Sequence, residues 1–216
     1  MPAITLEQAR EYYGQADSAH DFDHVLRVLA LADRIGAAEG ADPVILRTAV
    51  LLHDIGRPEE METGRCHAEA GAEKARRILC DWPSNAVEAV ATAIATHRFR
   101  NNAPPRTLEA RILFDADKLD SIGAIGVARA YAIAGLRGQP LWGEVQLDYV
   151  EDQSPGRLPG PGTQSAAHSP VHEFAVKLSL IKGLLFTDTA REIAEERDRF
   201  MRDFFTRLDR EVRGEL

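Results

Sequence analysis

Cysteine is nearly missing from this chain: Cys66 and Cys80 are the two thiols in 216 residues, and they lack CxxC spacing. That excludes a disulfide framework and leaves both expected as ordinary reduced thiols. Aromatic residues are scarce at 6%, while Ala and Leu are abundant, a balance that leans toward helix. No stretch approaches the ~18 uninterrupted apolar residues of a membrane span. The opening Met1-Pro-Ala-Ile-Thr-Leu-Glu lacks the basic and then apolar pattern of a signal peptide, so the expected location is cytoplasmic. A long basic run is also lacking: 26 Lys and Arg stand against 34 Asp and Glu, a net charge of −8. Binding a nucleic-acid polymer requires a basic face that displaces counterions, so neither such a polymer nor a membrane is an expected partner. A small anionic ligand stays open, because a metal ion and a few local cations can reverse the field inside a cleft.

What is present is an ordinary mixture, 44% hydrophobic and 28% charged, long enough to bury one sizeable core. A single domain over 1–216 is the expectation. Seven or eight helices can be read from it. Val25, Val28, Leu29, Ala32 and Ile35 make one helical face within Phe22 to Ala38. Asp42 can cap the next helix, with Pro43 in its first turn and Gly56 as its expected stop. A third helix is expected from Arg65 to Leu79. A fourth starts near Pro83, with Val87, Val90, Ile94 and His97 on one stripe. A fifth runs from Thr107 to an interruption at Gly123, and a sixth to about Leu136. Residues 138–170 are then rich in Pro and Gly, an expected lid or loop insertion. Helix resumes over Val171 to Leu185 and again from Thr189 to Val212, where Ile193, Phe200, Phe204 and Leu208 share a side. These last segments read as amphipathic covers for the core, or as one face of a homodimer. No alternating strand pattern occurs, so the fold class is all-α.

The chemistry shows in where polar residues interrupt apolar faces. His53 and Asp54 end the apolar run Ala49-Val50-Leu51-Leu52. His24 continues the stripe of Val28 and Leu31, and Asp117 lies one turn beyond Leu113. A buried carboxylate without a partner is costly, and a divalent cation removes that cost. Mixed nitrogen and oxygen ligands suit manganese, iron, cobalt, nickel or zinc better than calcium. A lone inward histidine is more often a hydrogen-bonded core residue than a ligand. Spacing alone therefore leaves both readings open for these four residues.

The chain resembles the HD-domain superfamily of metal-dependent phosphohydrolases, whose signature is His, then His-Asp, then a distant Asp: here His24, His53-Asp54 and Asp117. It is most similar to small stand-alone bacterial and archaeal members. The similarity lies in His20-Asp21-Phe22-Asp23-His24, in Ala116-Asp117-Lys118-Leu119-Asp120-Ser121-Ile122-Gly123, and in His172-Glu173-Phe174-Ala175-Val176-Lys177-Leu178 with Thr187 to Arg191. The resemblance implies a helical bundle around a metal held by His24, His53, Asp54 and Asp117. Manganese is the first choice of ion, ahead of magnesium, cobalt, nickel, iron or zinc.

The resemblance also implies hydrolysis of a phosphate ester or anhydride, with a nucleoside mono- or triphosphate as first choice of substrate. A phosphodiesterase, an alarmone hydrolase and a non-catalytic metal- and nucleotide-binding regulator are the alternatives. His67 and His97 fall in the order that supplies a second metal in binuclear members; in mononuclear ones equivalent positions hold phosphate, which is the first choice for His97. Asp54, Asp117 and Lys118 are expected at the reacting centre. Arg27, Arg57, Arg98 and Lys177 are expected against substrate, with Arg65 and Arg100 as weaker candidates. His20 is expected behind a ligand, and His168 in solvent. Glu59, Glu60 and Asp120 are candidate proton acceptors.

Overall fold

Asp42 shows how this sequence starts a helix. Its carboxylate accepts from the backbone N–H groups of Val44 at 2.8 Å and Ile45 at 3.2 Å, and Pro43 occupies the first turn. Donors that a helix start would leave unsatisfied are thereby satisfied. The chain is described from a computed structural model, which covers residues 3–13, 22–98, 104–145 and 168–216. Within those residues there is no strand, and the all-α expectation holds. They include α1 (Leu6–Glu11), α2 (Phe22–Glu39), α3 (Pro43–Leu52), α4 (Arg57–Thr63), α5 (His67–Ile78), α6 (Ser84–Thr96), α7 (Leu108–Leu119), α8 (Gly123–Leu136), α9 (Pro170–Val176), a 3-10 segment Leu178–Leu184, and α10 (Asp188–Val212). No single helix among them is long and apolar enough to cross a membrane.

Two compact units emerge: residues 1–118 with 185–190, and residues 119–184 with 191–216. In the first unit α3 is buried nearly all round, through Ile45, Leu46 and the whole run Thr48 to Leu52. It packs against α1, α2 and α6, while α5 packs on α4 and α6. Each fully buried Leu or Ile of this core contributes about 1.5–3 kcal/mol. The Asp115 carboxylate, on α7, is fully buried. It accepts from the backbone N–H of Phe186 at 2.9 Å, the backbone N–H of Thr187 at 2.8 Å and the Thr187 hydroxyl at 2.7 Å. Asp115→Ala orphans these donors and is expected to cost roughly 3 kcal/mol, read from urea unfolding; a loss below about 0.5 kcal/mol would contradict the pinning role.

Gly56 does not stop a helix, contrary to expectation. Helix α3 ends at Leu52, and Gly56 caps the start of a separate helix, α4, that the sequence pattern hid because none of its residues is buried. The glycine is needed for space. A Cβ there would press on the His67 carbonyl oxygen and lie 2.7 Å from the Gly71 backbone nitrogen. Gly56→Ala is therefore expected to destabilise the protein by about 1–3 kcal/mol through backbone displacement at the start of α5. Unchanged melting would refute the close approach. The helix expected over Arg65 to Leu79 begins only at His67.

In the second unit, Phe174 of α9 stacks on Phe205 of α10 with ring centres 4.7 Å apart, and Tyr131 of α8 meets Phe204 edge-on. Gly123 opens α8 at φ +77, a conformation that side chains disfavour. The helix expected over Val171 to Leu185 is broken. Lys177 leaves the helical region at φ −136, and Ser179 Oγ bonds back to the Ala175 carbonyl at 3.0 Å. A 3-10 segment follows, competition of the kind that short hydroxyl side chains offer a helix. His168 is buried, not solvated, with Nε2 at 3.2 Å from Glu173. Of the expected loop over 138–170, residues 146–167 lie outside the described residues, as do His20 and Arg100.

Candidate metal centre

The centre lies in the first unit and is assembled largely from helix ends. The last carbonyls of a helix lack intrahelical donors. His53 follows α3, and its Nδ1 donates to the Val50 carbonyl at 2.7 Å. His97 follows α6 and donates to the Ile94 carbonyl at 2.6 Å. A carbonyl can only accept, so each Nδ1 carries the hydrogen and each Nε2 keeps its lone pair. Those lone pairs face Asp54, which follows His53 directly.

Two groups result. In the first, His24 Nε2 stands 3.4 Å from His53 Nε2 and 3.3 Å from Asp117 Oδ1. In the second, His67 Nε2 stands 3.3 Å from His97 Nε2. Asp54 lies between them. Its Oδ2 is 3.6 Å from His53 Nε2 and 3.9 Å from His24 Nε2. Its Oδ1 is 3.4 Å from His67 Nε2 and 3.7 Å from His97 Nε2. Both groups have the donor types and spacing to hold an ion. Metal–ligand bonds of about 2.1 Å place neighbouring ligand atoms about 3.0–3.4 Å apart, so the shorter of these separations fit without rearrangement.

The Asp54 carboxylate makes the strongest case for a cation. It is 2% exposed, yet neither oxygen accepts a hydrogen bond. Arg57 Nε comes within 3.0 Å of Oδ2 but is not aligned to donate. Burial pushes the Asp54 carboxyl up, but His53, His97 and Arg57 together hold it well below the usual carboxylate range. Asp117 is likewise held well below that range, its burial outweighed by Lys118 and then His24. Burial moves the imidazoles the other way. His53 falls to about 4, and His67 to about 3 with further repulsion from His97 and Arg57. At neutral pH Asp54 and Asp117 are thus ionised and His53 and His67 neutral, the protonation states that metal binding requires.

The cations expected around it fall into distinct places. Lys118 Nζ contacts Asp117 Oδ2 at 2.6 Å and lies over the Phe114 ring. Arg98 is bound to Glu60 at 2.5 Å and reaches Cys66 Sγ at 3.5 Å. Arg65 pairs with Glu59 and Glu73. Arg27 is half-buried on α2, three residues beyond His24. Lys177 belongs to the second unit, where it pairs with Glu173 at 2.5 Å. Among the candidate proton acceptors, Glu60 reaches the centre, with Oε2 at 2.7 Å from His67 Nδ1. Glu59 pairs with Arg65 and Lys74, and Asp120 with Arg129 in the second unit.

Two residues that support the centre escaped the sequence reading. Tyr13 is buried beneath the His-Asp turn, where its hydroxyl donates to the Leu51 carbonyl at 3.0 Å and accepts from the Asp54 N–H at 3.3 Å. Nothing in a Tyr-Tyr-Gly sequence signals that role. Asp115 offered a weak signal: residues two apart on a helix point to nearly opposite sides, so Asp115 and Asp117 were bound to have different partners.

The HD domain family model matches residues 21–122, which contain all six residues of the two groups. YpgQ of Bacillus subtilis, an uncharacterized protein, is 34% identical over 211 residues, covering 91% of this chain and 86% of its own. The crystal structure of YpgQ in complex with ADP superposes with a TM-score of 0.72 at 31% identity, over 97% of this chain and 99% of that one. A predicted HD superfamily hydrolase from an uncultured Thermotogales bacterium gives a TM-score of 0.65 at 31% identity, over 96% of this chain and 90% of that one. Ribonuclease Y of Chloroflexus aurantiacus is 28% identical over 206 residues, 84% of this chain but 38% of that protein. The chain belongs to the HD-domain superfamily of hydrolases, whose members are usually metal-dependent phosphohydrolases.

Proposed function

We propose that this protein hydrolyses a phosphoric ester or anhydride bond of a small nucleotide, using divalent ions held around Asp54. The observation that carries the proposal is the buried Asp54 carboxylate, ionised and without a hydrogen-bond donor, set between two groups of ligands. The ADP bound by YpgQ supports a nucleotide as the substrate class. His24, His53, Asp54 and Asp117 would hold one ion, with manganese the first choice; Asp54, His67 and His97 would hold a second. A divalent ion bound there supplies an activated water and a Lewis-acid hold on a phosphoryl oxygen.

The second group favours a cation over a phosphate for a specific reason. With Nδ1 of His97 bonded to a carbonyl, and Nδ1 of His67 to Glu60, each Nε2 can donate to an anion only as imidazolium. Burial pushes the His67 imidazole strongly away from that form. Lys118 and Arg57, at 2.6 Å from Asp117 and 3.0 Å from Asp54, would meet charge on the equatorial phosphoryl oxygens.

The test is a panel of nucleoside mono-, di- and triphosphates and a generic phosphate ester, each assayed with manganese, magnesium, cobalt and nickel. A short oligoribonucleotide belongs in the panel because ribonuclease Y aligns with most of this chain. Metal-dependent release of phosphate or pyrophosphate from a nucleotide is the expected result. Binding without turnover across the panel would leave a nucleotide-binding regulator in its place. Turnover of the oligoribonucleotide alone would overturn the substrate class.

A further inference from the structure

Helix α5 begins at His67, and this creates a problem the other capped imidazoles do not have. His53 and His97 sit at helix C-termini, where carbonyls are available to accept from Nδ1. A helix N-terminus presents N–H groups instead, so an imidazole there finds no acceptor in its own helix. Glu60, on α4, supplies it: Oε2 lies 2.7 Å from His67 Nδ1. An ionised carboxylate can only accept, so the hydrogen sits on Nδ1 and the Nε2 lone pair is turned toward Asp54 Oδ1 at 3.4 Å and His97 Nε2 at 3.3 Å. Glu60 is itself held on its other oxygen by Arg98 at 2.5 Å, with Arg57 Nη1 at 3.8 Å from Oε2. Its position is therefore fixed from two sides, and Gly56 brings α4 and the start of α5 close enough for the contact.

We infer that Glu60 is a positioning residue that locks His67 in the Nδ1–H tautomer and thereby makes the Asp54–His67–His97 group a cation site. The inference rests on the two-ion reading given above. A free imidazole distributes its hydrogen between both nitrogens; a hydrogen on Nε2 would place a donor where an ion needs a lone pair. A carboxylate behind a ligating imidazole raises its basicity and sets its orientation, and removing such a partner weakens metal binding by 10–100-fold in other proteins.

Two measurements on the full chain test this. In metal-free, nitrogen-15-labelled protein at neutral pH, the long-range proton–nitrogen spectrum should show His67 as the Nδ1–H form, Glu60→Ala should show a mixture, and Glu60→Gln should restore that form only in part, since its single carbonyl oxygen is also claimed by Arg98. In manganese titrations the wild type should take two ions. Glu60→Ala should weaken the second by about 10–100-fold and leave the first unchanged; Glu60→Gln should fall between. Retention of the Nδ1–H form in Glu60→Ala, or an unchanged second ion, would overturn the inference. A wild type that binds one ion defeats the two-ion reading and with it the cation half of the inference, while the spectrum still decides whether Glu60 sets the tautomer. Circular dichroism of each variant separates these outcomes from a failure to fold.

Discussion

Asp54→Asn is expected to lower metal-dependent hydrolysis by on the order of 10³-fold or more while the protein stays folded. Metal stabilisation of a developing charge is worth several kcal/mol, and each 1.4 kcal/mol is a factor of ten in rate. Asp54 comes within 4 Å of imidazoles of both ligand groups, so its loss is expected to act on both at once. An amide keeps the volume and shape of the carboxylate, which limits the packing cost. It does not keep the charge, and its nitrogen would present N–H groups to imidazoles whose lone pairs already face it. Metal content should fall in parallel, measured by elemental analysis after gel filtration. A variant that retains a tenth of the wild-type rate and its full metal content would remove Asp54 from the centre.

Acid should destabilise the metal-free protein well before its carboxylates titrate. His53 sits at about 4 in the folded chain, below its ordinary 6.5, chiefly because burial disfavours the imidazolium. Between those values the unfolded chain binds a proton that the folded one refuses. The stability this residue allows is fully present above about pH 6.5 and is lost progressively as pH falls to about 4. At 1.36 kcal/mol per unit, His53 alone accounts for about 3 kcal/mol. His67, held at about 3, adds a loss of the same sign over a slightly wider range. Asp54 and Asp117 are depressed and act later, below about pH 3.8. After chelation, the melting temperature should drop by about 6–12 °C between pH 7 and pH 4 from His53 alone. A level melting temperature across that window would show that the imidazoles are not buried neutral. His53→Asn should flatten the curve.

The helices and the ligands were legible to different degrees, for physical reasons. Asp42 and Pro43 announced α3 because capping is local chemistry written in adjacent residues. His24, His53 and Asp117 stood out because each interrupts an apolar stripe, and the resemblance to HD-domain proteins gave that pattern a meaning. Helix α4 left no such trace: Arg57 to Thr63 buries nothing, so no hydrophobic period exists to read. The break at Lys177 was hidden for the opposite reason, since Val176 before it and Leu178 and Ile181 in the 3-10 segment after it are buried as they would be in one continuous helix. Side-chain pairings between different elements were invisible altogether. That Asp115 would reach Thr187, Tyr13 the turn at Asp54, and Glu60 the ring of His67 follows from the tertiary arrangement and not from any spacing.

Because His53 and His97 are each tethered to a carbonyl three residues back, their rings have little rotational freedom of their own. Sliding either helix along its axis carries the ring bodily with it. Adjusting the centre to a larger or smaller ion is thus a matter of main-chain travel, resisted by the whole apolar packing of α3 and α6. Substitutions away from the ligands, at the buried Leu46 or Val90, are the ones to examine when ion preference is to be altered.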